Sequence, residues 1–229
     1  MAIETSLAES LLRWTPALVT GFGQNILISL LAIALGSLFG LLIGALGLSP
    51  LRLLRLPARL WVQLFRNAPW LVLIYFTTYV FPFEIHLGSY YVPFPDWVKV
   101  TLGLALPASA NVAEIFRGAI GSIPSTQWEA ARSLAFSRAQ LFRSIILPQC
   151  FKRMLPPWMN LYAVITMGTA LASLVGVHDL IDTAQIASNT INRTAFTVVI
   201  YFSVLALFFA YCYPISRLTQ RLERRYAFY

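Results

Sequence analysis

The sequence predicts an all-α integral membrane protein of about five transmembrane helices, with a long polar helical loop on its cytoplasmic side. Three observations carry that prediction. Of the 229 residues 58% are hydrophobic and only 11% charged, the mean hydropathy is +0.70, and long apolar runs recur along the chain. Soluble domains of this length carry roughly 25% charged residues, so a chain this poor in charge has lipid as its solvent. A bilayer core about 30 Å thick takes about 20 apolar residues per helical crossing. The runs cover residues 24–48, 70–82, 98–116, 158–177 and 195–215. With helical flanks they predict spans over about 22–48, 60–82, 97–118, 157–177 and 195–215, all within one transmembrane domain covering 1–229.

The first run is too long for the apolar stretch of a secretory signal, which has about 7–15 residues after a basic start. Here the start carries Glu4 and Glu9 with only Arg13, so the run predicts a retained first helix. Gly36, Gly40 and Gly44 fall on one face of it, a pattern that lets another helix backbone approach. Ser49-Pro50 ends it. Residues 51–67 place Arg52, Arg55, Arg59 and Arg66 among leucines and Trp61, which predicts an amphipathic lead-in on the membrane lipid surface. The second span follows, with Pro69 near its start. Segment 82–97 reads as a loop, and Tyr90, Tyr91, Phe94 and Trp97 as an interfacial aromatic belt. Pro107 predicts a kink in the third span. Pro156-Pro157 opens the fourth, and 178–194 reads as a polar loop holding His178, Asp179 and Asp182. The fifth span runs into a basic tail.

Charge sets the orientation. Arg52, Arg55, Arg59, Arg66, the six basic residues of 117–153 and the four of the tail make fourteen of the seventeen Lys and Arg on one side. Arg13, Lys99 and Arg193 fall on the other, beside six of the nine acids: Glu4, Glu9, Glu84, Asp96, Asp179 and Asp182. The excess of positive charge marks the cytoplasmic side, which puts the N-terminus outside and the C-terminus in the cytoplasm. An odd number of spans follows. The net charge of +8 is a topology signal rather than a footprint for nucleic acid, because it flanks the apolar runs. Cys150 and Cys212 lie near cytoplasmic ends and predict no disulfide, and His86 and His178 stand apart from any metal-ligand spacing.

The polar stretch 123–149 is the most informative part of the chain. Thr126 with Glu129, and Ser137 with Gln140, have capping-box spacing. They predict helices over about 127–135 and 138–147, with a turn near Phe136-Ser137 and with Pro148 and Pro156 limiting their extent. The first helix offers Trp128 and Leu134 as apolar anchors and Glu129 as a first-turn charge. That pattern suits insertion into a partner's groove, and it equally suits a helix lying on lipid.

Glu129-Ala130-Ala131, then Ala135, then Ile145-Ile146-Leu147-Pro148 resembles the Glu-Ala-Ala loop of ABC importer permeases, whose pattern has Gly at the position of Ala135. The likeness extends over most of the chain and narrows to the polar amino-acid uptake group. It rests on Arg66-Asn67-Ala68-Pro69, on 113–124, on Leu147-Pro148-Gln149, on Leu155-Pro156-Pro157 and on 171–177. The resemblance implies that Glu129, Ala130, Ala131, Arg132 and Ala135 form the coupling helix and its turn, seated in a cleft of an ATP-binding subunit and transmitting its closure. Ala135 leaves that turn less free to take a positive φ than Gly would. Many members have a Lys-Asp-Thr-Ser run where this chain has Met167-Gly168-Thr169-Ala170, so substrate contacts do not carry over from that position.

Within the spans, Glu114 is the acid whose burial costs most; it reads either as a counter-charge for a substrate amino group or as the partner of Arg117 three residues on. Asn111, Thr166 and Thr169 read as pathway lining or as interhelical hydrogen bonds. No Gly-x4-Gly-Lys-[Ser/Thr] phosphate loop occurs, so ATP and its Mg belong on a separate subunit and this chain is not itself an enzyme. The expected assembly is a bacterial inner-membrane importer of polar amino acids. It holds a second permease subunit, identical or related, a pair of ATP-binding subunits and a periplasmic solute-binding protein. Two other readings stay open: a permease of the same superfamily carrying an opine, an organic acid or a metal chelate, and a secondary carrier with no nucleotide partner.

Overall fold

Among the described residues, nine α-helices and one small strand pair form in the order the apolar pattern dictates, with differences where polar residues hide a buried face. The computed structural model describes residues 6–87 and 90–226; Glu4 lies outside them. The helices are α1 (Leu7–Gly47), α2 (Arg52–Asn67), α3 (Trp70–Val80), α4 (Asp96–Gly121), α5 (Ser125–Ser133), α6 (Arg138–Leu141), α7 (Leu147–Gly168), α8 (Leu180–Ile191) and α9 (Thr194–Tyr226). A π turn over Phe142–Ile146 joins α6 to α7, and a 3₁₀ segment, Thr169–Val175, follows α7. Among the described residues three helical stretches are long and apolar enough to cross a membrane: Leu7–Gly47, Arg138–Val175 and Thr194–Tyr226. The expected second span is instead two helices broken at Ala68-Pro69, because proline holds the preceding residue extended. Its apolar part, α3, has 11 residues, about 16 Å of helix. The expected third span is α4, whose 26 residues include Lys99, Pro107, Asn111 and Glu114.

The chain divides into two compact units, to both of which α1, α4, α7 and α9 contribute. One comprises Met1–Ala32, Pro69–Ala105 and Val164–Pro214. Its apolar core gathers Leu18 of α1, Leu180, Ala184 and Ala187 of α8, and Phe196, Ile200 and Val204 of α9. Segment 178–194, expected as a loop, is therefore largely helix. Leu180, Ala184 and Ala187 repeat at helical spacing and fill a core, while the polar residues between them hid the period. Asp179 caps it, its Oδ1 accepting from the Asp182 amide at 2.9 Å. His178 is not alone either: its Nδ1 lies 2.7 Å from Asp182 Oδ2.

Segment 82–97 holds a second difference, an antiparallel pair of β1 (Glu84–Leu87) and β2 (Tyr90–Pro93) in register Glu84↔Pro93. Two strands alone are marginal, and this pair is tied down by its neighbours. Phe94 N donates to Phe83 O at 2.9 Å, and Phe81 meets Phe94 edge-on at 5.8 Å. Lys99, with no exposed surface, puts its ammonium 3.0 Å from Asp96 Oδ1 and 3.7 Å from the centre of the Phe83 ring. A lysine so enclosed is tolerated because a carboxylate and a ring face replace water. Tyr90 and Tyr91 are exposed.

The other unit comprises Ile33–Ala68, Leu106–Ala163 and Ile215–Tyr229. Here the glycine face of α1 meets α4 as expected. A Cβ on Gly40 would stand 2.6 Å from Ser109 O and 2.7 Å from Val112 Cβ, and one on Gly44 2.8 Å from the Phe116 ring. Indole N–H groups tie the neighbouring helices: Trp61 Nε1 donates to Ser109 Oγ at 3.0 Å, and Trp158 Nε1 to Ser37 Oγ at 2.8 Å. Pro148, Pro156 and Pro157 do not stop the helix, which runs through all three. The π turn just before Pro148 widens the backbone where that residue lacks an N–H.

Candidate functional site

The helix α5 presents the Glu-Ala-Ala residues. Ala131 is 1% exposed and packs with Ile120, Ile123, Leu141 and Ile146, which leaves Glu129, Ala130 and Arg132 on the surface. Neither Glu129 nor Arg132 makes an ion pair with a described residue. Of the two expected apolar anchors, Leu134 is 69% exposed, whereas Trp128 turns toward its own chain and meets Phe142 edge-on at 5.6 Å. The helix starts at Ser125 behind Pro124, so Thr126 does not cap it. The second capping box is present, with Ser137 and Gln140 bonding reciprocally.

The turn between α5 and α6 resolves the question raised by Ala135, which takes φ 56°. Phe136 N donates to Ala131 O at 3.1 Å and Ala135 N to Arg132 O at 2.9 Å, the bond pair of a Schellman motif. The left-handed geometry is thus kept without glycine, at about 1–2 kcal/mol of Cβ strain. Relief of that strain outweighs the greater entropy glycine loses on folding, so Ala135→Gly is expected to stabilise the protein by about 0.5–1 kcal/mol. Thermal unfolding in detergent checks this, and an unchanged or lower midpoint would contradict it.

The four expected pathway residues fall into the two units as pairs. Asn111 and Glu114 belong to the second. Asn111 Nδ2 donates to Pro107 O at 2.8 Å. Glu114 takes a two-pronged contact from Arg117, with Nε on Oε1 at 2.9 Å and Nη2 on Oε2 at 2.6 Å, the strong fork geometry of a charge-assisted pair. It also accepts from Arg66 Nη1 at 3.3 Å. The Arg117 pair is the three-residue spacing read from the sequence; Arg66, 48 positions away, carried no such signal. Thr166 and Thr169 belong to the first unit and are both fully buried. Thr169 Oγ1 accepts from Asn25 Nδ2 at 3.0 Å and donates to Thr166 O at 2.7 Å.

That bond is part of a buried knot sequence reasoning missed. Asn25 Nδ2 also donates to Asp179 Oδ2 at 3.0 Å, and its Oδ1 accepts from Leu180 N at 3.0 Å. A Cβ on Gly21 would stand 2.7 Å from Asp179 O, so α1 can reach this cap only through a glycine. Asp179 is therefore no solvated loop acid. Burial pushes its carboxyl above the usual aspartate range, against the lowering effect of the bonds from Asp182 N and Asn25.

The model of the family described as "Binding-protein-dependent transport system inner membrane component" matches residues 36–227. The chain belongs to that family. As a permease of this family it is membrane-embedded. It is 33% identical over 93% of its length, and 91% of the relative's, to the "Probable amino-acid ABC transporter permease protein YckA" of Bacillus subtilis. It is 32% identical to the octopine transport system permease protein OccM of Rhizobium radiobacter, over 90% of this chain and 84% of that one. To the histidine/lysine/arginine/ornithine transport system permease protein HisM of Salmonella typhimurium it is 30% identical, over 94% and 92%. Among solved structures, the permease superposes on a chain of an amino acid ABC transporter crystallised with histidines at a TM-score of 0.84. The two are 28% identical, over 97% of this chain and 100% of that one. The MetNI methionine ABC transporter, at 18% identity and a TM-score of 0.69, shares the fold. ATP-binding and substrate-binding partners belong to such systems in general.

Proposed function

We propose that the permease is the membrane half of an ATP-driven importer of polar amino acids, and that α5 is where hydrolysis on another subunit is felt. One observation carries this reading: α5 is anchored through Ala131 while Glu129, Ala130 and Leu134 stand free on the surface. An acid and an apolar side chain left uncovered on one short helix are what a cleft in a partner recognises. Relatives named for amino-acid transport, YckA and HisM, support the cargo class. A second copy or a related permease would complete the pathway, since five spans enclose a channel poorly. A solute-binding protein would deliver from the periplasm, facing the acidic side of the chain, with the C-terminus in the cytoplasm.

Of the pathway candidates, Asn111 and Glu114 keep some exposure in this chain, whereas Thr166 and Thr169 support the helix packing that surrounds them. The test is uptake of labelled amino acids into vesicles holding the permease, its co-expressed ATP-binding subunit and the binding protein. Uptake is expected to need all three. Uptake that continues without the ATP-binding subunit would establish a secondary carrier instead. The OccM relative favours a second reading, an opine as cargo, and competition of labelled uptake by octopine decides it.

A further inference from the structure

A cavity of about 320 Å³ opens beside Glu114 in the second unit. Its polar walls are Arg59 and Gln63 of α2 with Glu114 and Arg117 of α4, and Gly47 of α1 lines it without a side chain. A Cβ on Gly47 would meet only Ala58 Cβ, at 4.0 Å, so that side is open to occupation. The charges do not balance. Arg59 and Arg117 line the cavity beside one carboxylate, and Arg117 and Arg66 already contact both oxygens of Glu114. Arg59 makes no hydrogen bond or ion pair with a described residue. A zwitterion's ammonium would have to compete with two guanidinium groups for Glu114, the one carboxylate lining the cavity. An anion needs only the uncommitted guanidinium and the outer face of Arg117, which is 60% exposed at its side chain.

The helix carrying Arg59 narrows the class of anion. Arg52, Arg55 and Arg59 lie at three- and four-residue spacing along one edge of α2, and Leu53, Leu56, Leu60 and Leu64 along the next, all four leucines exposed. A free phosphate has no use for an exposed apolar stripe beside its site; an amphiphile with an anionic head uses both. We propose that the cavity holds the headgroup of an anionic phospholipid, its phosphodiester on Arg59 and Arg117 and its acyl chains along the leucines of α2. Guanidinium suits a phosphodiester because its planar fork gives two parallel N–H···O bonds. The inference rests on the membrane reading of the chain, and places the lipid in the leaflet beside the basic ends.

The test uses the full-length permease purified in a zwitterionic detergent and titrated with phosphatidylglycerol or phosphatidylcholine, bound lipid being counted by native mass spectrometry. Wild type is expected to retain phosphatidylglycerol about fivefold or more in preference, the effect of one arginine at an anionic surface. Arg59→Gln should remove that preference. Gly47→Leu should weaken binding by filling the cavity while every charge is kept, and Arg224→Gln in the tail should leave it unchanged. Equal retention in Arg59→Gln and wild type would overturn the proposal. So would displacement of the lipid by millimolar inorganic phosphate, which would mark a free-anion site, or by a neutral amino acid, which would mark a solute site. No uptake or hydrolysis is read, so failure of the transport reading would leave this result standing.

Discussion

Glu129→Lys is expected to abolish the stimulation of ATP hydrolysis by loaded binding protein while leaving the chain folded and inserted. Glu129 lies on the surface of α5 and makes no ion pair with a described residue, so reversing its charge breaks nothing inside the permease. The helix keeps its seat because Ala131, Ile120 and Ile146 hold it from the other side. What changes is the charge offered to a partner's cleft. Coupling energies run to roughly 1–3 kcal/mol, so a loss of about tenfold or more in stimulated rate over basal is the expected size. The measurement is ATPase activity of the reconstituted complex with and without binding protein. Stimulation equal to wild type would remove α5 from the coupling role. A cross-linker belongs at exposed Ala130 rather than at buried Ala131, and it should capture the ATP-binding subunit.

Asp179→Ala is expected to have the largest effect on stability. The substitution removes the cap of α8 and deprives Asn25 Nδ2 of one of its two acceptors. Losing a cap costs about 0.5–2 kcal/mol, and leaving a buried polar group short of its partner about 1–3 kcal/mol. A loss of about 3 kcal/mol is the central expectation, read as a fall of the unfolding midpoint in detergent. The pH dependence gives a second readout. Because burial raises the carboxyl above its usual range, the folded chain holds that proton more tightly than the unfolded chain does. The stability this contributes is full below the ordinary aspartate value and is lost as the pH rises through the folded value. That slope should vanish in Asp179→Ala, and a midpoint equal to wild type at every pH would contradict the role of the knot.

What the sequence made legible follows from how each signal is written. Apolar runs and the Gly36-Gly40-Gly44 face are local: three of the runs lie in helical stretches long and apolar enough to cross a membrane, and the glycine face packs against a neighbouring helix as expected. The Ser137 box is equally local and forms. Thr126 has the same spacing, but Pro124 starts the helix upstream of it, and only one residue can stand at a cap. The α8 helix was hidden because its buried face is mostly alanine, small enough for the polar residues to dominate the pattern. At the polar sites, contacts within one turn were visible and distant ones were not. Glu114 with Arg117 is three residues apart, whereas Arg66 and the Asn25–Asp179 knot join residues 48 and 154 positions apart. Nothing in a single sequence links such pairs.

The enclosure of Lys99 has a practical side. The chain contains two lysines, Lys99 and Lys152. Lys152 is exposed, whereas the other amine is walled in by a carboxylate and a phenyl ring. Acylating reagents applied to the intact chain should therefore modify the first side chain promptly and spare the second. Any slow appearance of label at Lys99 would then time how often the strand pair above it lifts away, turning a protected amine into a clock for motion at that end of α4.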